Sequence, residues 1–132
     1  MTVWIVDSSV WIDYFNGAST PQSDLLDAAL GVEELGIGDL ILCEVLQGFR
    51  SQRDFSLAKA AMLALPVYAM GGRTLVLRSA DNYRFLRQRG ITVRKTLDCL
   101  IATFVIAEGF HLLHSDRDFD PFALHLGLTV VK

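Results

Sequence analysis

Four acidic residues stand where a charged side chain needs a reason to be. Asp7 follows the apolar run Val3-Trp4-Ile5-Val6, and Glu44 interrupts Leu40-Ile41-Leu42-Cys43-Glu44-Val45-Leu46. Asp98 opens the apolar-striped stretch after Thr96, and Asp116 comes just after His111-Leu112-Leu113-His114. Burying a lone carboxylate among such neighbours is costly. Several carboxylates in one pocket repel, and without a cation some take up protons. A hard divalent ion resolves that conflict. Mg²⁺ prefers carboxylate and water oxygens and keeps several waters for a substrate. Such an ion activates water and neutralises charge on a phosphoryl oxygen. Cys43 and Cys99 form no CxxC, and the three histidines lack HxxxH spacing, so no zinc or iron constellation competes. GxSxG and Gly-rich phosphate loops are also absent.

Each acid has a structural alternative at this level. Asp7 could cap a helix, and Asp98 could favour its helix dipole by about 0.3–1 kcal/mol. Asp116 and Asp118 could be turn residues, and Glu44 could pair internally with an arginine.

The elements that must position these residues read as alternating strands and helices. The predicted strands are 3–6, 36–38, 67–70, 111–114 and 128–131, each a short apolar or glycine-bearing run. Ser8 and Ser9 cap a helix to about Phe15, stopped by Asn16-Gly17; Thr20-Pro21 opens a second. Asp39 is expected to cap the helix holding Glu44, and Gly48 to end it or let it pack closely. A fourth helix spans about 52–65, closed by Pro66, and a fifth about 73–89, ending at Gly90. Thr96 is expected to cap a helix with the stripe Leu97, Leu100, Ile101, Phe104 and Val105. Asp120-Pro121 starts a short last helix. This order implies one domain over residues 1–132, an α/β class and a three-layer α/β/α sandwich around a mostly parallel sheet. Ligands of such sheets gather beyond the carboxyl ends of the strands. Asp7 and Asp116 both sit at such ends, and the first turn of a helix lets Asp98 face the same edge.

Composition fits this reading. The 132 residues are 52% hydrophobic with mean hydropathy +0.36, which argues against a disordered chain. No apolar run approaches the roughly 20 residues of a membrane span. No signal peptide is expected, and a reduced, cytoplasmic setting follows, with both cysteines as small buried hydrophobes. The net charge of −3 is uneven: residues 1–54 carry −7 and residues 55–132 carry +4. Arg84, Arg87, Arg89, Arg94 and Lys95 crowd just ahead of Asp98. A phosphate-binding rim, with Arg87, Arg94 and Lys95 as its candidates, competes there with a solvated helix face.

Four segments together resemble the PIN domain, and within it the VapC toxins of bacterial toxin–antitoxin pairs. They are Ile5-Val6-Asp7-Ser8-Ser9-Val10-Trp11-Ile12-Asp13, Glu44-Val45-Leu46-Gln47-Gly48, Thr96-Leu97-Asp98-Cys99-Leu100-Ile101-Ala102 and Leu113-His114-Ser115-Asp116-Arg117-Asp118-Phe119-Asp120. The resemblance implies an endoribonuclease using Mg²⁺ or Mn²⁺ on tRNA or a ribosomal RNA loop, leaving a 5′-phosphate and a 3′-hydroxyl. It maps the catalytic and metal acids onto Asp7, Glu44, Asp98 and Asp116, with Asp118 as an auxiliary ligand. It also implies a VapB-type antitoxin, whose C-terminal segment covers the active groove, a homodimer and a toxin–antitoxin hetero-oligomer. Two alternatives remain: a catalytically silent PIN-like module that binds RNA or a partner, and another phosphoryl-transfer enzyme. The second is disfavoured because Ser8-Ser9 follow Asp7 where the haloacid phosphatases have DxDxT.

Trp4 and Trp11 are expected in the core, as are Tyr14, Phe15 and Phe49 unless they line a groove for an antitoxin helix. His111 and His125 are read as structural. His114 lies two residues from Asp116 and keeps a minor site role, and Ser8 and Ser115 each adjoin a site acid.

Overall fold

In a computed structural model, residues 2–132 are described. Five strands and seven helices are formed among them: β1 Trp4–Val6, α1 Ser8–Phe15, α2 Pro21–Ala29, β2 Leu35–Gly38, α3 Asp39–Leu46, α4 Gln52–Leu63, β3 Val67–Tyr68, α5 Arg73–Gln88, α6 Thr96–Glu108, β4 His111–Leu113, α7 Asp120–His125 and β5 Thr129–Val130. A single 3-10 turn, Arg117–Phe119, precedes α7.

The sheet order is β3-β2-β1-β4-β5, and all four pairings are parallel. Ile5 stands opposite Gly36 on one side and Leu112 on the other. The chain moves one way from β1 through β2 to β3, then returns across the sheet to β4 and continues outward to β5. Right-handed crossovers therefore set α1–α4 on one face and α5–α7 on the other. The packing agrees: α1 lies on α2 and α3, α3 on α4, and α5 on α6. Helices on both faces bury the last two residues of each central strand, which is why β1 and β4 end in apolar pairs. Ile5, Val6, Leu112 and Leu113 are all at most 1% exposed.

Two glycines make β2 fit its neighbours. A Cβ at Gly36 would lie 2.4 Å from the Tyr68 ring, and one at Gly38 would lie 2.0 Å from the Met70 sulfur. The strand accepts only hydrogen at those positions unless Tyr68 and Met70 move.

Several element ends differ from the sequence reading. Asp39 is the first residue of α3 rather than its cap; its carboxylate accepts the Met70 N–H at 3.0 Å and ties the ends of β2 and β3 together. Thr96 is likewise the first residue of α6, and Lys95 holds the cap position without a side-chain bond. Asp120 is already helical, and the cap position of α7 falls on Phe119. The third strand is two residues long instead of four. Cys99 is buried as expected, but Cys43 is exposed. In α3, Ile41 and Val45 face inward, and Cys43 lies midway between them on the opposite side of the turn.

Candidate active site

The chain reverses direction between β1 and β4, so the carboxyl ends of these two strands border the crevice where open parallel sheets bind ligands. Asp7 is the first residue past β1, and its N–H donates to the Leu113 carbonyl at 2.9 Å, locking it to the end of β4. Asp116 follows β4 by three residues. α6 runs back down the sheet to reach β4, so its first turn, carrying Asp98, starts at the same edge. α3 leaves β2 at that edge and carries Glu44 in its second turn.

Asp7 is both cap and site residue. Its Oδ2 accepts the Ser9 N–H at 3.2 Å and the Ser9 hydroxyl at 2.6 Å, while its buried Oδ1 has no hydrogen-bond partner. Burial pushes its carboxyl up from the ordinary value, outweighing the Ser9 and Ser8 hydrogen bonds that pull it down, and Glu44 adds repulsion. Ser115 Oγ reaches Ser9 Oγ at 3.3 Å, which links the loop after β4 to the same carboxylate.

Asp98 is 7% exposed, and its Oδ2 is buried without a partner. Its pKa is raised to about 6, first by burial and then by the negative charge of Asp7; Lys95 opposes, and Asp116 and Asp118 add to the rise. That rise is a cost to folding of roughly 3 kcal/mol. That exceeds the roughly 0.3–1 kcal/mol a helix dipole gives an acid in its first turn. The dipole therefore does not account for this placement.

Carboxylate oxygens of Asp98, Asp116 and Asp118 lie within 4.8 Å of one another. Asp116 Oδ1 accepts the Asp118 N–H at 2.9 Å, fixing the turn. The Asp116 N–H donates to His114 Nδ1 at 3.2 Å, and the His114 ring packs on Phe119 with centroids 4.9 Å apart. Burial lowers the His114 pKa against the pull of Asp7, Asp120 and Asp116. His114 Nδ1 thus accepts from, and holds, the Asp116 backbone.

Glu44 lies outside that triplet but within reach of Asp7's field. It accepts a hydrogen bond from the Ser8 hydroxyl. It therefore has a hydroxyl partner where an arginine was the alternative. Among the described residues the single Lys/Arg–carboxylate pair is Arg94–Asp118, with Nη2 2.8 Å from Oδ2, 3.0 Å from Oδ1 and a third contact from Nε at 3.3 Å.

The sequence reading therefore meets the structure unevenly. Asp98, Asp116 and Asp118 come together; Asp7 and Glu44 both lie outside that triplet, Asp7 close enough for its charge to act on Asp98 and Glu44 close enough to act on Asp7. Arg94 is turned toward Asp118 as well as toward solvent, and Arg87 lies over the Tyr83 ring at 5.5 Å. Lys95 is exposed beside the acids. The roles of Ser9 as the holder of Asp7 and of Arg94 as the partner of Asp118 were not anticipated. Ser9 carried a signal, since it stands two residues after Asp7; Arg94 and Asp118 are 24 residues apart and carried none.

The family model of the PIN domain matches residues 4–123. The chain belongs to the PIN-domain family. A curated relative, ribonuclease VapC11 of Mycobacterium tuberculosis, is 29% identical over 121 residues, spanning 90% of each chain. Among solved structures, VapBC2 of Rickettsia felis bound to a promoter DNA fragment superposes with TM-score 0.74 at 16% identity, covering 98% of this PIN domain and 97% of that chain. VapBC-1 of nontypeable Haemophilus influenzae gives TM-score 0.74 at 15% identity, with the same coverage. The sarcin-ricin-loop-cleaving toxin VapC20 of Mycobacterium tuberculosis gives 0.67 at 14% identity, covering 89% of this chain and 93% of its own. Their α/β architecture is the one found here.

Proposed function

We propose that this PIN domain is the toxin of a type II toxin–antitoxin pair, an Mg²⁺-dependent endoribonuclease acting on tRNA or a ribosomal RNA loop. The observation that carries the reading is the Asp98 carboxylate. It is buried, it has a free oxygen, and it sits within 4.8 Å of two further carboxylates at the sheet's switch point. Only oxygen donors line the place, which suits a hard cation and not zinc or iron.

Asp7, Asp98 and Asp116 would hold the ion, Asp118 would assist, and Mn²⁺ would substitute for Mg²⁺. When bound, such an ion lowers the pKa of water and neutralises charge on a phosphoryl oxygen. The chain's own residues prepare the rest. Ser9 occupies one Asp7 oxygen and leaves the other free. Ser8 donates to the Glu44 carboxylate, which would orient the attacking water or contribute to a second ion position. Lys95 and Arg87, both exposed, supply positive charge for the RNA backbone near the scissile phosphate.

Two further observations favour an antitoxin partner. The curated relative carries the VapC name, and the neighbouring structures are VapBC complexes. A cleft of about 130 Å³ between α1 and α3, lined by Ile12, Phe15, Asn16, Val45, Gly48 and Phe49, would take an anchoring apolar side chain of such a partner. A homodimer of this chain, joined to that antitoxin in a hetero-oligomer, is the assembly we infer. No described helix is long and apolar enough to cross a membrane.

The test is cleavage of total tRNA and ribosomal RNA by the purified chain, with EDTA and Asp98→Asn as controls. Discrete products bearing 5′-phosphates, abolished by both controls, are expected. Cleavage that persists in EDTA would refute the metal chemistry, and no cleavage of any RNA would favour a binding-only module.

A further inference from the structure

One positive charge makes direct contact with the acid cluster. Arg94 is 72% exposed along its side chain and Asp118 is 18% exposed, yet the guanidinium makes three contacts to that single carboxylate. Two of them use both Asp118 oxygens. An arginine fork on a carboxylate uses the lone pairs that a divalent ion would otherwise take. Asp98 and Asp116, with oxygens within 4.8 Å of Asp118, have no comparable partner. Asp98 keeps a free buried oxygen and feels only the through-space charge of Lys95, whereas Asp118 is directly ion-paired.

We propose that Arg94 is a built-in counter-ion that competes with the divalent cation for Asp118. The guanidinium satisfies Asp118 and holds it at the edge of the cluster. An ion bound by Asp7, Asp98 and Asp116 gains Asp118 as a ligand only by displacing Arg94. The long exposed side chain allows this, because among the described residues only Asp118 bonds its head group. Once released, the guanidinium is free beside the ion, where the charge of an RNA phosphodiester arrives. Arg94 is therefore a positioning residue that sets how tightly the site takes its cation. This inference rests on the metal-site reading above.

The experiment is a Mn²⁺ titration followed by electron paramagnetic resonance, with no RNA present, on wild type, Arg94→Gln, Asp118→Asn, the double variant and Asp98→Asn. Removing Arg94 is expected to tighten Mn²⁺ binding roughly threefold to fivefold, the range of a well-formed exposed ion pair. In the Asp118→Asn background, removing Arg94 should change nothing further. Arg94→Lys should fall between wild type and Arg94→Gln, because an ammonium lacks the fork. Unchanged affinity in Arg94→Gln would overturn the proposal. So would an equal tightening in both backgrounds, which would mean a general field effect and no competition for Asp118. If wild type binds Mn²⁺ and Asp98→Asn does not, either of those results removes Arg94's role alone. If wild type and Asp98→Asn do not differ, the metal site itself falls, and this inference with it.

Discussion

Replacing Asp98 with Asn should stabilise the metal-free protein at neutral pH. Folding raises the Asp98 pKa from the model-compound value of 3.8 to about 6, through burial and the charges of Asp7, Asp116 and Asp118. For an acid raised in this way, the folded state binds more protons than the unfolded state between those two values. The stability is then fully present below about pH 4 and is lost as pH rises through about 6. At pH 7.5 the ionised group costs up to about 3 kcal/mol, at 1.36 kcal/mol per unit. An asparagine keeps the shape without the charge, and its amide can donate to a neighbouring carboxylate. About half of the penalty should be recovered, since a buried amide has its own unmet hydrogen bonds. For a domain of this size that corresponds to a melting temperature higher by roughly 5 °C. The assay is thermal unfolding in EDTA at pH 4 and pH 7.5. The gain should appear at pH 7.5 and vanish at pH 4, where Asp98 is protonated in the wild type. With saturating Mg²⁺ the order should reverse, because binding to the folded state stabilises only the wild type appreciably. A variant that is less stable than wild type at pH 7.5, or a difference independent of pH, would refute the like-charge argument.

Other substitutions separate the roles of the surrounding residues. Ser8→Ala removes the only side-chain partner seen for Glu44, and should lower the cleavage rate about tenfold while leaving Mn²⁺ affinity within about twofold; rate and binding measured on one preparation will show whether the two separate. Lys95→Gln and Arg87→Gln should each reduce the slope of log RNA affinity against log salt by about one, uniformly across RNA sequences. Trp11 is 1% exposed and stacks on Phe15 with centroids 5.7 Å apart, so Trp11→Ala should cost about 3–5 kcal/mol in urea unfolding.

Much of this arrangement was legible in the residues. The runs at β1 and β4 must be buried on both faces, and each ends one to three residues before an aspartate, so topology alone sends Asp7 and Asp116 to one edge. Asp98 was legible as an acid in a helix's first turn. The rest depended on contacts between distant segments. Glu44 is explained by a hydroxyl 36 residues away, and Asp118 by a guanidinium 24 residues away. No local periodicity encodes either pairing. Helix starts shifted by a residue because Asp39, Thr96 and Asp120 are good residues both at a cap and in a first turn. Cys43 was misplaced because Leu40 to Leu46 is apolar almost throughout, which hides which face of α3 points inward. The structural alternatives for the acids also proved partly true: Asp7 caps α1 and Asp116 fixes a turn. Neither role uses both oxygens of the carboxylate, so capping leaves an oxygen of each free for the proposed ion.

The account stands on carboxylates from the ends of β1 and β4 and the start of α6 sharing one cation. Diffraction from Mn²⁺-soaked crystals at the manganese absorption edge tests this most directly. A strong anomalous peak bounded by Asp7, Asp98 and Asp116 is the predicted result. Well-ordered carboxylates with no peak among them, at a Mn²⁺ concentration that supports RNA cleavage, would contradict it.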